Sequence, residues 1–76
     1  KVALVDDDRD FRSSIAQVLS LSGFDVAEFA SGTEALAALD AGWEGVVVSD
    51  VRMPGVSGIE LFRRLQRIDP ELPVIM

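Results

Sequence analysis

The chain has 76 residues, a formal net charge of −6, 49% hydrophobic residues, no cysteine and no histidine. That length holds one small domain, and so large a hydrophobic fraction excludes a disordered tail. Without cysteine or histidine there is no disulfide, no thiolate or imidazole metal site and no histidine general base, which leaves hard oxygen ligands suited to Mg2+, Ca2+ or Mn2+.

The negative charge argues against direct contact with nucleic acid, because phosphate binding needs clustered cations. Arg63, Arg64 and Arg67 lie close together in the chain and are expected to form a solvated helix face. No apolar run approaches the ~20 residues that cross a bilayer, so no membrane contact and a cytoplasmic location are expected. The chain begins with Lys1 rather than Met, so a residue or two is expected upstream.

Val2 to Val5 is a continuous apolar run ending in acid, the pattern of a strand buried on both faces. Within 10–22, Phe11, Ile15, Val18 and Leu19 recur at helical spacing, and Gly23 follows where a helix C-terminus is expected. Residues 24–29, with Val26 and Phe29, read as a second strand. Ser31 and Glu34 have capping-box spacing: Ser31 should accept from the backbone near Glu34, and Glu34 should reach back to the amide of Ser31. A helix follows to about Asp40, with Leu36 and Leu39 on one side, and Gly42 ends it. Trp43 falls in the loop before a third strand, 45–49, which is β-branched and again ends in an acid, Asp50. Pro54 and Gly55 mark a loop, Ser57 and Glu60 a second capping box, and Ile59, Phe62, Leu65 and Ile68 an expected buried stripe on a third helix. Pro70 stops that helix, and 73–76 begins a fourth strand.

Alternating strands and helices of this kind build a parallel sheet covered by helices. In such a sheet the carboxyl ends of all strands point the same way. If the first and third strands are neighbours, Asp6, Asp7 and Asp50 converge in the crevice where strand order reverses. Crowded carboxylates resist ionising together, and a divalent cation removes that conflict, so a hard metal site is implied, with Mg2+ the natural occupant. Asp8 and Asp10 are expected instead to serve the first helix, by capping it and favouring its positive end. A carboxylate beside such a cation can act as a nucleophile toward phosphorus.

The residues Val5, Asp6, Asp7 and Asp8, then Ser49 to Gly55 and Gly58, resemble the receiver domains of two-component response regulators. The resemblance runs from Val2 to Met76. The stretch from Ser49 to Phe62 looks most like the nitrogen-regulator class, and the dicarboxylate-transport regulators in particular. It implies a flavodoxin-like sheet of strand order 2-1-3-4(-5) with helices on both faces. It implies Asp50 as phosphoacceptor, Mg2+ bound directly by Asp7 and through water by Asp6, and the backbone carbonyl of Arg52 as a further ligand. Asp8, Met53 and Pro54 would be peripheral, with Pro54 and Gly55 shaping the loop. The implied phosphodonor is a histidine kinase. The implied neighbours in the same protein are a sigma-54-activating ATPase and a DNA-binding domain, with dimerisation of the whole.

A complete member of that family adds a fifth strand and two helices, a Ser or Thr after strand four and a Lys after strand five. None of these is in the sequence, whose one Lys is Lys1. Residues 1–76 are therefore expected to be the N-terminal part of a receiver. Two other readings stay open here. One is a phosphatase of the haloacid-dehalogenase type, whose Asp-x-Asp spacing Asp6 and Asp8 match, although Asp10 stands where that family has Thr or Val. The other is a receiver that switches partners without being phosphorylated.

Overall fold

Four strands form where the apolar runs lie: β1 (Val2–Val5), β2 (Val26–Phe29), β3 (Val46–Ser49) and β4 (Val74–Ile75). They alternate with helices α1 (Arg9–Leu21), α2 (Gly32–Ala38) and α3 (Gly58–Ile68). These elements come from a computed structural model that describes residues 1–40 and 42–76. The sheet is parallel throughout, in the order β2-β1-β3-β4, which is the flavodoxin-like order expected. Val5 pairs with Phe29 on one side and with Ser49 on the other. Central β1 is buried at every position, whereas β2 at the edge is exposed at Ala27 and Glu28.

Side chains alternate across a strand, so the sheet has two differently covered faces. Ala3, Val5 and Val47 meet Ala35, Leu39, Met53, Leu61, Leu65 and Leu72 in one core, beneath α2 and α3. On the other face α1 buries Ala16, and a cavity of about 300 Å³ is lined by Leu4, Phe11, Ile15, Val48 and Met76, among others. Trp43 packs partly buried against the core. It also lines a cavity with Lys1 and Gly45, at the end of the sheet opposite Asp6 and Asp50.

Several expectations are corrected in detail. The buried seam of α3 is Gly58, Leu61 and Leu65, while Ile59 and Ile68 are 45% and 40% exposed. A strict spacing of three slips backward around a helix of 3.6 residues per turn, so three such steps carry Ile59 and Ile68 to opposite sides. Spacings of three and then four keep Gly58, Leu61 and Leu65 together. Phe11 and Val18 of α1 are likewise exposed.

The capping boxes form by halves. Ser31 accepts from the amide of Glu34 at 3.1 Å, but Glu34 reaches past Ser31 to the amide of Ala30, at 3.0 Å. Ser57 accepts from the amide of Glu60 at 3.2 Å, and the Glu60 carboxylate turns instead to Arg64, four residues on, at 3.0 Å. Arg63, Arg64 and Arg67 are all exposed, as expected of a solvated face.

Candidate functional site

The register of β1 on β3 places the site. Because Val5 lies opposite Ser49, the next residues, Asp6 and Asp50, leave the sheet side by side. The amide of Asp50 donates to the carbonyl of Val5 at 3.0 Å, carrying the ladder one residue past the strands. The amide of Asp6 donates to the carbonyl of Phe29 at 3.1 Å, which ties the same point to β2. Asp6, Asp7 and Asp50 each present a carboxylate oxygen, and these atoms all lie within 4.8 Å of one another.

The three acids are held differently. Asp6 is 8% exposed, and one of its carboxylate oxygens accepts from the amide of Asp8 at 2.9 Å, so its orientation is set by the turn that follows it. Asp7 and Asp50 are exposed. Among the described residues the carboxylates of Asp7 and Asp50 accept no hydrogen bond, and their lone pairs face the crevice with nothing to satisfy them but solvent or a ligand. Beneath Asp50 the backbone is fixed: Ser49 is buried and its hydroxyl donates to the carbonyl of Asp50 at 2.9 Å.

Asp8 does not join the cluster. It is the N-cap of α1, with extended backbone, and its side chain accepts from the amide of Phe11 at 3.1 Å. That is the capping role expected of it, and it leaves the Asp6 and Asp8 pairing of the phosphatase reading without a shared site. Arg52 is exposed two residues after Asp50. Met53, expected beside the site, turns under the loop into the core, and Pro54 is exposed above it. Val51, Arg52, Met53, Pro54, Ser57 and Ile59 line an open cavity of about 630 Å³ next to the acids.

The loop's return to α3 depends on a close approach. The amide of Gly58 donates to the carbonyl of Val51 at 2.9 Å, and a Cβ at Gly58 would fall on the Asp50 carbonyl oxygen. Gly58 stands in the motif, yet this contact with Asp50 is visible only in three dimensions. Arg12 and Glu28 also reach the acidic turn, through contacts between elements. The Arg12 guanidinium donates to the backbone carbonyl of Asp6 at 2.7 Å and pairs with Glu28 at 3.2 Å. A signal for Arg12 exists in the sequence: it lies four residues before Ala16, hence on the sheet-facing side of α1.

The donor set is chemically uniform. Three carboxylates with no sulfur or nitrogen ligand fit a hard, oxygen-seeking divalent cation. The arrangement offers an exposed carboxylate at Asp50 beside two acids, buried Asp6 and exposed Asp7, suited to hold such an ion.

Comparison with known proteins agrees with this architecture. Residues 2–76 match the family described as "Response regulator receiver domain". The C4-dicarboxylate transport transcriptional regulatory protein DctD of Rhizobium meliloti (strain 1021) is 55% identical over 75 residues, covering 99% of this chain and 16% of that protein. The DNA-binding transcriptional regulator NtrC of Salmonella typhimurium is 39% identical, over the same shares of each chain. The chain thus spans less than one fifth of either regulator's length. A solved response regulator receiver domain protein from Clostridium thermocellum superposes with a TM-score of 0.91 at 28% identity, covering 96% of this chain and 60% of that one.

Proposed function

The chain belongs to the response regulator receiver domain family, and from that premise we propose that it accepts a phosphoryl group on Asp50 from a phosphohistidine of a histidine kinase. The observation that carries this reading is the convergence of Asp6, Asp7 and Asp50 within 4.8 Å at the carboxyl ends of adjacent strands. Asp6, Asp7, Asp50 and the backbone carbonyl of Arg52 would hold Mg2+. When bound, that ion would supply the positive charge that offsets the carboxylates and the oxygens of the transferring group.

The chain's own residues provide the rest. The Asp50 carboxylate, exposed and free of hydrogen bonds from the described residues, offers a lone pair to phosphorus. As its Oδ–P bond forms, the N–P bond of the phosphohistidine breaks, and the imidazole nitrogen keeps that electron pair. The product is an acyl phosphate on Asp50. Asp6, pinned by the amide of Asp8, stays fixed through the transfer, and the ladder bond from Asp50 to Val5 holds the nucleophile's backbone in place. Positioning and charge neutralisation carry most phosphoryl transfer, so little further protein chemistry is needed.

The same reading assigns residues 1–76 to the N-terminal part of a receiver, in keeping with their covering 60% of a solved relative. The Ser or Thr and the Lys of the family site would come from the rest of the polypeptide. The likeness to a transcriptional regulatory protein and to a DNA-binding transcriptional regulator supports a transcriptional role, and on this reading the whole protein is cytoplasmic and dimeric, with ATPase and DNA-binding domains beyond the receiver.

The test is incubation of the full polypeptide that carries this chain with acetyl phosphate and Mg2+, followed by intact-mass measurement. One phosphoryl group should appear, it should need Mg2+, and Asp50→Asn should abolish it. Label persisting in Asp50→Asn would overturn the assignment, as would labelling that ignores chelation of the metal.

A further inference from the structure

Among the described residues Arg12 is the one cation tied to the acidic turn, and its contacts are unusual for a residue on the first turn of a helix. Its side chain is 13% exposed, although arginines are rarely buried unless paired. It spans three elements. From α1 it donates to the carbonyl of Asp6 at the tip of β1, at 2.7 Å, and to Glu28 on β2, at 3.2 Å. The carbonyl of Asp6 belongs to the same planar peptide unit as the amide of Asp7. Fixing that oxygen therefore fixes the plane from which the Asp7 carboxylate departs. Asp6 itself is held at its other backbone group by Phe29, the residue after Glu28.

We infer that Arg12, anchored by Glu28, is a positioning residue for the acidic site: it sets the orientation of the Asp6–Asp7 peptide and so the spacing of the carboxylates that bind the cation. This rests on the metal-binding reading above and deepens it. The sign of the effect separates the inference from simple electrostatics. A guanidinium near a cation site repels the cation, so by charge alone removing Arg12 should tighten binding. Positioning demands the opposite, because ligands left free to reorient lose the preorganised geometry. Groups that orient metal ligands without touching the metal typically account for about 10–100-fold in affinity.

The experiment uses the full polypeptide carrying this chain and titrates it with Mg2+ alone by calorimetry, with Tm in chelator measured in parallel. Arg12→Met keeps the buried stem and removes every donor. It should weaken Mg2+ binding by about 10-fold or more. Arg12→Lys, which restores one donor toward the Asp6 carbonyl, should recover part of that loss. Glu28→Gln keeps the Arg12 bond to Asp6 and should cost less than Arg12→Met.

If Arg12→Met lowers Tm yet binds Mg2+ as tightly as the wild type, or more tightly, the residue is merely structural and the inference is overturned. Should Arg12→Met fail to fold, Arg12→Lys decides alone: affinity below wild type at an unchanged Tm supports positioning, and unchanged affinity overturns it. A wild-type protein that binds no Mg2+ overturns the metal-binding reading and this inference with it. A wild type that binds Mg2+ beside an Arg12→Met that binds equally overturns this inference alone.

Discussion

Replacing Asp50 by Asn should make the metal-free protein more stable, because it removes one of three crowded negative charges while nearly preserving shape. The carboxylate oxygens of Asp6, Asp7 and Asp50 lie within 4.8 Å of one another. At that separation a pair of unit charges repels by about 0.9 kcal/mol in bulk water and about 3.5 kcal/mol at an effective dielectric constant of 20. Asp7 and Asp50 are exposed, so solvent screening holds the value near the lower figure. Two pairs vanish with the substitution, for a gain of about 1–2 kcal/mol. No hydrogen bond from a described residue to the Asp50 carboxylate is lost in exchange.

Urea melts in chelator at low ionic strength measure this directly, and in a small domain 1 kcal/mol raises Tm by about 4–8 °C. The gain should shrink at 1 M NaCl, where the Debye length falls to about 3 Å. With Mg2+ at 100 times its Kd the order should reverse, since a ligand bound only to the folded state adds about 2.7 kcal/mol to the wild type and less to a variant with a weakened site. An Asp50→Asn protein no more stable than wild type in chelator would refute the crowding argument. So would a gain that salt leaves untouched.

Two further substitutions test how the site is supported. Leu61→Ala, at a position with no exposed surface, should cost about 2–5 kcal/mol in a urea melt, whereas Ile68→Ala, already 40% exposed, should cost less than about 1.5 kcal/mol; equal costs would contradict the assignment of the α3 seam. Asp8→Ala should lose about 1 kcal/mol with the helix cap while leaving the Mg2+ titration unchanged, and a loss of Mg2+ affinity without a loss of stability would make Asp8 a ligand instead.

Much of this architecture was legible along the chain because it rests on local rules. The apolar run at Val2–Val5, the β-branched run at Val46–Ser49, and the helix starts at Ser31 and Ser57 are signals confined to a few neighbouring residues. The strands and helix caps form at nearly those positions. The errors fall where two elements must meet. Spacing alone points to a stripe of Ile59, Phe62, Leu65 and Ile68; packing in the core with Val47 and Ala35 keeps Leu65 and adds Leu61, while Ile59 and Ile68 stay exposed. Glu34 and Glu60 had partners to choose among, and the nearest in sequence was not the best placed: Ala30 and Arg64 won. Met53 lies in the loop by chain position, while its side chain also belongs to the core below, a placement that only packing decides.

The candidate site divides along the same line. The sequence by itself determined that two strands end in acid, that every available metal ligand is an oxygen, and that Asp8 can cap the helix beside them, since each follows from residue type and local spacing. Only the tertiary structure decided that Val5 lies opposite Ser49, and from that pairing come the approach of Asp50 to Asp6 and the reach of Arg12 from α1 to the Asp6 carbonyl and Glu28. The physical reason is that register and helix docking are set by how distant apolar surfaces fit together, a quantity that no short window of sequence contains.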